Sequence, residues 1–475
     1  MLRSLSSTAE GDRAVPSAAE CEATQVTIVA HLVRYGGPMS SNKRPASDLS
    51  GRARQNQIYT DGVFGRKPKV PTNFGDLERA AERKMSAKAW AYVAGGAGEG
   101  STMRANRRAL DSWAIVPRML RDVSVRSLST ELFGQQLPAP ILFSPVGAGG
   151  LVFPQADVHI GRAAAELGVP YIFSSQASAP MESTAAAMDE VSPGAPRWYQ
   201  LYWSSDEQLV DSFLQRAEKC GAAAIVVTLD TTMLGWRPQD LNLGSLPFAQ
   251  GLGIDQYTSD PRFIDMVRAR IAAAVPGPKP QVTVGAIKSL VSMAKNTPGS
   301  VLANLRSPVP RESVQTFLET YSRPSLNWTD IAGLRERTSL PIVLKGILHP
   351  DDARQAVDAG VDGILVSNHG GRQVDGSIGS VEALTDVVAA VDGKAKVLLD
   401  SGIRGGADVF KALALGADAV CIGRPHMYGL ALAGSAGARD VVANIIAELD
   451  LTLGLSGNTS TADLSPAVLK KVRLD

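Results

Sequence analysis

From residue 71 onward the chain alternates short apolar, β-branched runs with Ala-rich stretches of helical period. Eight runs have strand character: residues 141–144, 171–174, 198–202, 224–229, 342–345, 363–367, 396–399 and 419–422. Most are apolar almost throughout instead of at every second position, the pattern of strands covered on both faces of a parallel sheet. Amphipathic segments such as 206–219, 351–359 and 407–415 follow them, and Gly168, Gly221, Gly360 and Gly416 stand just past helices, where left-handed C-terminal caps are expected. Eight such units predict an α/β fold closed as a (β/α)8 TIM barrel, because an open doubly wound sheet usually stops at about five or six strands.

Two regions break the rhythm. Residues 73–95 read as a helical cap ahead of the barrel, with Asn73 as N-cap and Gly95-Gly96 as its stop. Residues 238–327, after the fourth strand, far exceed the ~2–6 residues usual for a βα loop. They predict a long loop acting as a lid or an interaction segment, with Pro247-Phe248, Tyr257 and Phe263 favouring partial order. One barrel domain over 70–475, with 238–327 inserted, accounts for the pattern. Residues 1–69 are rich in Ser, Arg, Gly and Pro, and Glu10, Asp12, Glu20 and Glu22 interleave with their basic residues. This stretch reads as a disordered leader, since transit peptides are poor in acids.

The 48 Lys and Arg against 47 Asp and Glu leave a net charge of +1, so no global field attracts nucleic acid or an anionic membrane. A small-molecule partner is expected. The apolar run 26–33 near the N-terminus contains His31, and no run is read as approaching the ~18 residues of a membrane span. Cys21, Cys220 and Cys421 lack CxxC spacing, which argues against a disulfide framework or zinc site and for a reducing compartment, so a cytoplasmic location is expected. The terminal Arg473-Leu474-Asp475 is not a peroxisomal signal.

Polar residues recur where the strands end, the face on which barrels of this kind gather function. Gln200 and Tyr202 end the third strand, Thr228 and Asp230 the fourth, Lys345 the fifth, Ser367-Asn368-His369 the sixth, Asp400 the seventh and Gly423-Arg424 the eighth. Any one of these suits an ordinary structural group; their convergence on one rim points to a site. His369 is a candidate general base with Asp230 as its orienting carboxylate, and the chain shows no His/Cys/Glu cluster suited to a metal. Lys345 ends a buried strand and needs an anionic partner; a Schiff-base role and a place against a flavin ring both fit it. Asp400-Ser401-Gly402-Ile403-Arg404-Gly405-Gly406 and Gly423-Arg424-Pro425 offer amides and guanidinium groups at the usual phosphate position of such barrels.

The blocks Ser367-Asn368-His369-Gly370-Gly371-Arg372-Gln373 and Leu399-Asp400-Ser401-Gly402-Ile403-Arg404-Gly405-Gly406-Ala407-Asp408-Val409 resemble the FMN-dependent 2-hydroxy acid oxidases and dehydrogenases, among them glycolate oxidase, lactate oxidase, mandelate dehydrogenase and lactate 2-monooxygenase. The similarity runs from roughly Tyr59 to the C-terminus. Within the family, the long insert, Leu229-Asp230-Thr231, Leu234-Gly235-Trp236-Arg237-Pro238 and Tyr92-Val93-Ala94-Gly95-Gly96 look most like lactate 2-monooxygenase. The resemblance implies oxidation of a small (S)-2-hydroxy acid to its 2-keto acid with FMN as cofactor and O2 as acceptor, in a homotetramer. It implies that His369 takes a proton from the substrate, that Asp230 supports the imidazolium, that Tyr92, Arg237 and Arg372 hold the substrate carboxylate, and that Tyr202 contacts the substrate oxygen. For FMN it implies Pro145, Val146 and Gly147 beside the ring, Ser174, Gln200, Thr228, Lys345 and Ser367 on its polar edge, and Asp400, Gly402, Arg404, Gly423 and Arg424 around ribityl and phosphate. Gly147 is expected to leave room for oxygen.

Two positions depart from the family pattern. Gln176 stands where an apolar or aromatic pocket residue is usual, and Thr232 where lactate 2-monooxygenase has a bulkier one. The implied alternatives are oxidative decarboxylation of the lactate 2-monooxygenase type, a dehydrogenase using another acceptor, and a flavin-binding scaffold barrel without turnover. The intact set His369, Asp230, Arg237 and Arg372 speaks against the last.

Overall fold

A computed structural model describes residues 49–274 and 283–473. Eight parallel strands close into a barrel: β1 (Ile141–Phe143), β2 (Tyr171–Phe173), β3 (Arg197–Leu201), β4 (Ile225–Thr228), β5 (Ile342–Ile347), β6 (Gly363–Val366), β7 (Lys396–Leu399) and β8 (Ala419–Ile422). Each pairs with its neighbour in sequence, and β8 closes on β1 with Val420 opposite Ile141. The predicted strands all form; five of them end one residue earlier, because that residue turns into the rim loop, and the fifth runs two residues longer. The helices between them are α1 (Ala156–Leu167), α2 (Met181–Val191), α3 (Glu207–Lys219), α4 (Trp328–Leu334), α5 (Pro350–Asp358), α6 (Ser380–Val391), α7 (Gly406–Ala414) and α8 (Arg424–Leu455). The four expected cap glycines all adopt positive φ.

Alternation along the strands splits the core into two layers, as a two-faced parallel strand requires. Leu142, Ile172, Trp198, Val226, Val343, Leu365, Leu398 and Cys421 pack inside the barrel, where Leu132 and Leu137 of the hairpin Thr130–Leu132/Gln135–Leu137 join them. The hairpin is fixed to the strand starts by the Trp198 indole, which donates to Gln135 Oε1 at 3.2 Å. Ile141, Phe143, Tyr171, Phe173, Ile225 and Val227 face outward into the helices.

Three expectations change. The leader was expected to be disordered to residue 69, yet Gly51–Val63 is a helix with Ser50 as its N-cap; residues 1–48 lie outside the described ones. It has no apolar stripe to betray it: Gly51 alone is buried, its N–H donating to Asp450 Oδ2 on α8 at 2.8 Å. The cap 73–95 is two helices, Phe74–Lys84 and Ala87–Ala94, with Asn73 capping the first as expected and Ser86 the second. The insertion is a set of helices instead of a loop: Pro238–Asn242, Pro247–Gln250, Asp255–Thr258, Pro261–Ala272, Val284–Asn296, Val301–Leu305 and Val309–Thr320. Three of them run to 12 or 13 residues, but Pro-, Gly- and Ser-rich joints and four shorter pieces interrupt the period between them. Phe248, Tyr257, Phe263 and Phe317 pack together beneath it with Phe213 of α3. Arg216 of α3 pins it further, bonding Asp260 at 3.0 Å and the Gln256 carbonyl at 2.8 Å.

One long apolar helix was also overlooked. Among the described residues, α8 is long and apolar enough to cross a membrane by length and composition. It breaks at Ala433-Gly434 and buries Leu430, Val442, Ile446 and Leu449 against the barrel helices and the N-terminal helices, which makes it a core helix.

Candidate active site

A cavity opens where the barrel strands end. Its wall takes Ser144 to Gly147 from the loop after β1, Gln176 after β2, Gln200 and Tyr202 at the end of β3, and Thr231, Leu234 and Arg237 after β4. Lys345 of β5, His369, Gly370 and Arg372 after β6, Asp400 to Arg404 after β7 and Gly423 to Pro425 after β8 complete it. Tyr92 enters from the cap, and Phe248 and Tyr321 from the insertion and its end. Of the residues expected here, Asp230, Ser174, Thr228 and Ser367 stand one layer behind the wall. Ser174 Oγ donates to Gln200 Oε1 at 3.2 Å and Gln200 Nε2 to Thr228 Oγ1 at 2.9 Å, so the outer two orient the middle one.

His369 Nδ1 lies 2.7 Å from Asp230 Oδ1, which leaves Nε2 as the ring nitrogen available to a substrate. The backbone that presents it is strained: His369 has φ 57°, a left-handed conformation costly for a residue with a Cβ. Neighbouring bonds hold it there, its own N–H donating to Ser367 Oγ at 3.0 Å and the Gly370 N–H to Ser401 Oγ at 2.9 Å. Burial and the nearby Lys345 charge lower the His369 pKa, with Asp230 opposing, so the resting ring is neutral at neutral pH. Burial would raise the Asp230 carboxyl, but His369 and Lys345 outweigh it and hold the group well below the usual carboxylate range.

Lys345 Nζ donates to Ser367 Oγ at 2.9 Å and sits 3.5 Å from both Asp230 and Asp400. Burial works against its charge, yet those two carboxylates keep it an ammonium, which disfavours a Schiff-base role. Its placement comes from a bulge in β5 between Lys345 and Ile347. Gly346 makes the bulge possible: its φ is 112°, and a Cβ there would fall 2.9 Å from Asp230 Cβ. Burial, then Asp230, push the Tyr202 phenol up to about 12, so it stays a hydrogen-bond donor.

Two guanidinium groups face one end of the cavity. Arg237 donates to the Arg372 carbonyl at 3.1 Å and to Gln373 Oε1 at 2.7 Å. Arg372 donates to the carbonyls of Tyr92 and Gly95 and lies over the Tyr92 ring, 4.9 Å from its centroid. Neither forms an ion pair among the described residues, and burial, reinforced by Arg237, lowers the Arg372 pKa to about 9. The Asp240 carboxylate acts on both from beyond ion-pair distance, so among the described residues the two adjacent guanidiniums have no anion in contact, and a carboxylate ligand would supply one.

The other end is built for a larger anion. Arg404 stacks on Phe74 at 4.5 Å, and burial and Arg107 lower its pKa more than Glu78 and Asp408 raise it, so its charge is only partly compensated. A Cβ on Gly423 would have no neighbour nearer than Ser144 Cβ at 3.8 Å, leaving backbone open to a ligand. Arg424 differs from expectation: it gives three bonds to the carbonyls of Val93, Gly370 and Gly95, at 3.0, 2.9 and 2.8 Å, and so ties the cap helix Ala87–Ala94 to the rim. Open backbone, an only partly compensated arginine and the buried Lys345 ammonium together fit FMN: Arg404 and the Gly423 backbone would hold its phosphate, and Lys345 would favour negative charge on its ring.

Three contributors escaped the sequence. Gln373, inside a quoted block but assigned no role, bonds the Asp230 carbonyl at 2.7 Å and Arg237, clamping two rim loops together. Asn106 exchanges amide bonds with Asn368 at 2.9 and 2.6 Å and lies on a helix with no motif to mark it. Tyr321 reaches the cavity from just past the last insertion helix.

Comparison with known proteins agrees with this geometry. The family model for FMN-dependent dehydrogenases matches residues 81–471. An L-lactate oxidase of Lysinibacillus sphaericus is 42% identical over 84% of this chain and 93% of its own length. An FMN-dependent alpha-hydroxy acid dehydrogenase of Penicillium citrinum is 41% identical over 88% and 95% respectively. Among solved structures, mandelate oxidase with (S)-4-hydroxymandelic acid superposes with a TM-score of 0.68 at 33% identity, covering 85% of this chain and all of that one. The chain therefore belongs to the FMN-dependent alpha-hydroxy acid dehydrogenase family, flavoenzymes that oxidise 2-hydroxy acids.

Proposed function

We propose that the protein oxidises a small (S)-2-hydroxy acid to the 2-keto acid with O2 as acceptor, releasing hydrogen peroxide. The observation that carries this reading is the His369–Asp230 pair, 2.7 Å apart, at a cavity that also holds two arginines without ion-pair partners. Arg237 and Arg372 receive the substrate carboxylate, while Tyr92 and Tyr202 position it and its 2-oxygen. With the carboxylate fixed there, His369 Nε2 accepts the hydroxyl proton as the Cα–H bond breaks, and Asp230 stabilises the imidazolium. FMN, when bound, supplies the two-electron acceptor, with Lys345 placed to favour negative charge on its pyrimidine edge. Relatives support the oxidase assignment, among them the L-lactate oxidase and a 4-hydroxymandelate oxidase of Amycolatopsis orientalis, 35% identical over 81% of this chain.

Phe248 and Tyr321 favour a second reading. These insertion-side rings line the cavity, and a keto acid retained behind them with peroxide would give the shortened carboxylic acid, CO2 and water, the lactate 2-monooxygenase outcome. Anaerobic titration of the yellow holoenzyme with a panel of 2-hydroxy acids, then peroxide and keto acid measured per O2 consumed, tests both. Bleaching followed by stoichiometric peroxide supports the oxidase. A shortened acid in place of peroxide supports the second reading, and a flavin that no 2-hydroxy acid reduces refutes both.

A further inference from the structure

Gln176 is held by its backbone and unmatched at its tip. Its N–H donates to Ser174 Oγ at 3.0 Å, and its carbonyl accepts from the Ala148 N–H at 2.8 Å. The residue is only 6% exposed and lines the cavity, yet among the described residues its side-chain amide has no hydrogen-bond partner. The amide atoms open onto the cavity, so a ligand that displaces water beside them loses affinity unless it offers them a hydrogen-bonding group. Gly147 makes the space for it. A Cβ at Gly147 would fall 2.9 Å from Gln176 Cβ and 3.0 Å from Oε1, so the room beside this glycine, expected to be left for oxygen, holds the glutamine. The same cavity is also lined by Leu234, Phe248 and Tyr321, apolar surface for the body of a substrate side chain.

Building on the 2-hydroxy acid reading above, we infer that the preferred substrate carries a neutral hydrogen-bonding group, a hydroxyl or an amide, on its side chain, and that Gln176 recognises it. A carboxamide offers both donors and an acceptor, which suits a neutral polar group and leaves the charged end of the acid to Arg237 and Arg372.

Two matched pairs test this on the FMN-loaded enzyme: (S)-2,4-dihydroxybutyrate against (S)-2-hydroxypentanoate, and (S)-2-hydroxy-3-carbamoylpropanoate against (S)-2-hydroxy-4-methylpentanoate. Each pair differs by polar atoms in place of methyl groups. The expected result is a kcat/KM for anaerobic flavin reduction at least about tenfold higher for the polar member of one pair or both, the scale of one buried hydrogen bond. Calorimetry of the corresponding 2-keto acids with oxidised enzyme should show the same order. Gln176→Met, of similar volume, should reverse the preference. Alkyl members favoured in both pairs, or a ratio that Gln176→Met leaves unchanged, overturns the inference. If that variant fails to hold FMN, the wild-type calorimetry decides alone. Lactate separates the two levels: reduction by lactate with no polar preference removes only this inference, whereas no reduction by any of the acids removes the oxidation reading and this inference with it.

Discussion

Replacing Asp230 with asparagine keeps the shape of the site and a hydrogen-bond acceptor 2.7 Å from His369, but removes the charge between imidazole and Lys345. That charge matters most when the ring is protonated, which happens only as the substrate gives up its proton. The lost attraction therefore counts against the transition state and hardly at all against the resting enzyme. Two unit charges about 4 Å apart at an effective dielectric of about 20 interact by about 4 kcal/mol. At about 1.4 kcal/mol per decade, Asp230→Asn should slow flavin reduction about 10³-fold. Lys345 keeps Asp400 at 3.5 Å and stays charged, so FMN should remain bound with an unchanged spectrum. Because Asp230 raises the His369 pKa against burial, its removal should also move the acid limb of the kcat/KM profile to lower pH. Anaerobic stopped-flow reduction across pH reads both effects. A loss under about tenfold, or an acid limb displaced upward, would refute the role assigned to Asp230.

Other expectations follow from the same geometry. Arg237→Met should raise KM about 10- to 100-fold, the scale of a charge-assisted bond, with the visible spectrum intact; unchanged saturation would remove Arg237 from substrate binding. In the wild type, the His369 pKa lies below its ordinary value of about 6.5, so the base is neutral above that pH. Its kcat/KM should hold from neutral pH down through 6.5 and fall only as pH drops through the lowered pKa; an acid limb above 6.5 would contradict the burial argument. Asn106→Ala breaks the exchanged amide pair and leaves the buried Ser380 N–H, 3.0 Å from Asn106 Oδ1, without its acceptor, which should cost about 1–3 kcal/mol and lower the denaturation midpoint of the holoenzyme.

The barrel was legible because each strand carries its own signal: a short apolar run with a polar residue where the chain meets the rim. The same local signal exposed His369, Lys345 and the Asp400 block. What escaped depends on partners remote in sequence. The helix Gly51–Val63 has no apolar face to read, and its anchor is Asp450, 399 residues away. Asn106 acquires meaning only opposite Asn368, and Gln373 only through Asp230 and Arg237. The insertion reads as a loop because its longer helices, such as Pro261–Ala272 with its Asp260 cap, are separated by short turns of helix rich in Pro, Gly and Ser that hide the period between them. In α8 a few polar residues concealed an apolar helix whose burial comes from neighbours on every side.

The cavity draws its two ends from different stretches of chain. Arg404 and Gly423 lie late, after β7 and β8, whereas Gln176, Leu234, Phe248 and Tyr321 belong to the loop after β2 and the segment between β4 and β5. Inheritance can therefore act on them separately. Exchanging or diversifying the earlier segments would retune which acid is accepted while the later ones, and the cofactor grip they offer, pass unchanged from parent to descendant. A lineage exploring new substrates could change the acid-facing wall while the Arg404 and Gly423 end of the cavity stays as it was.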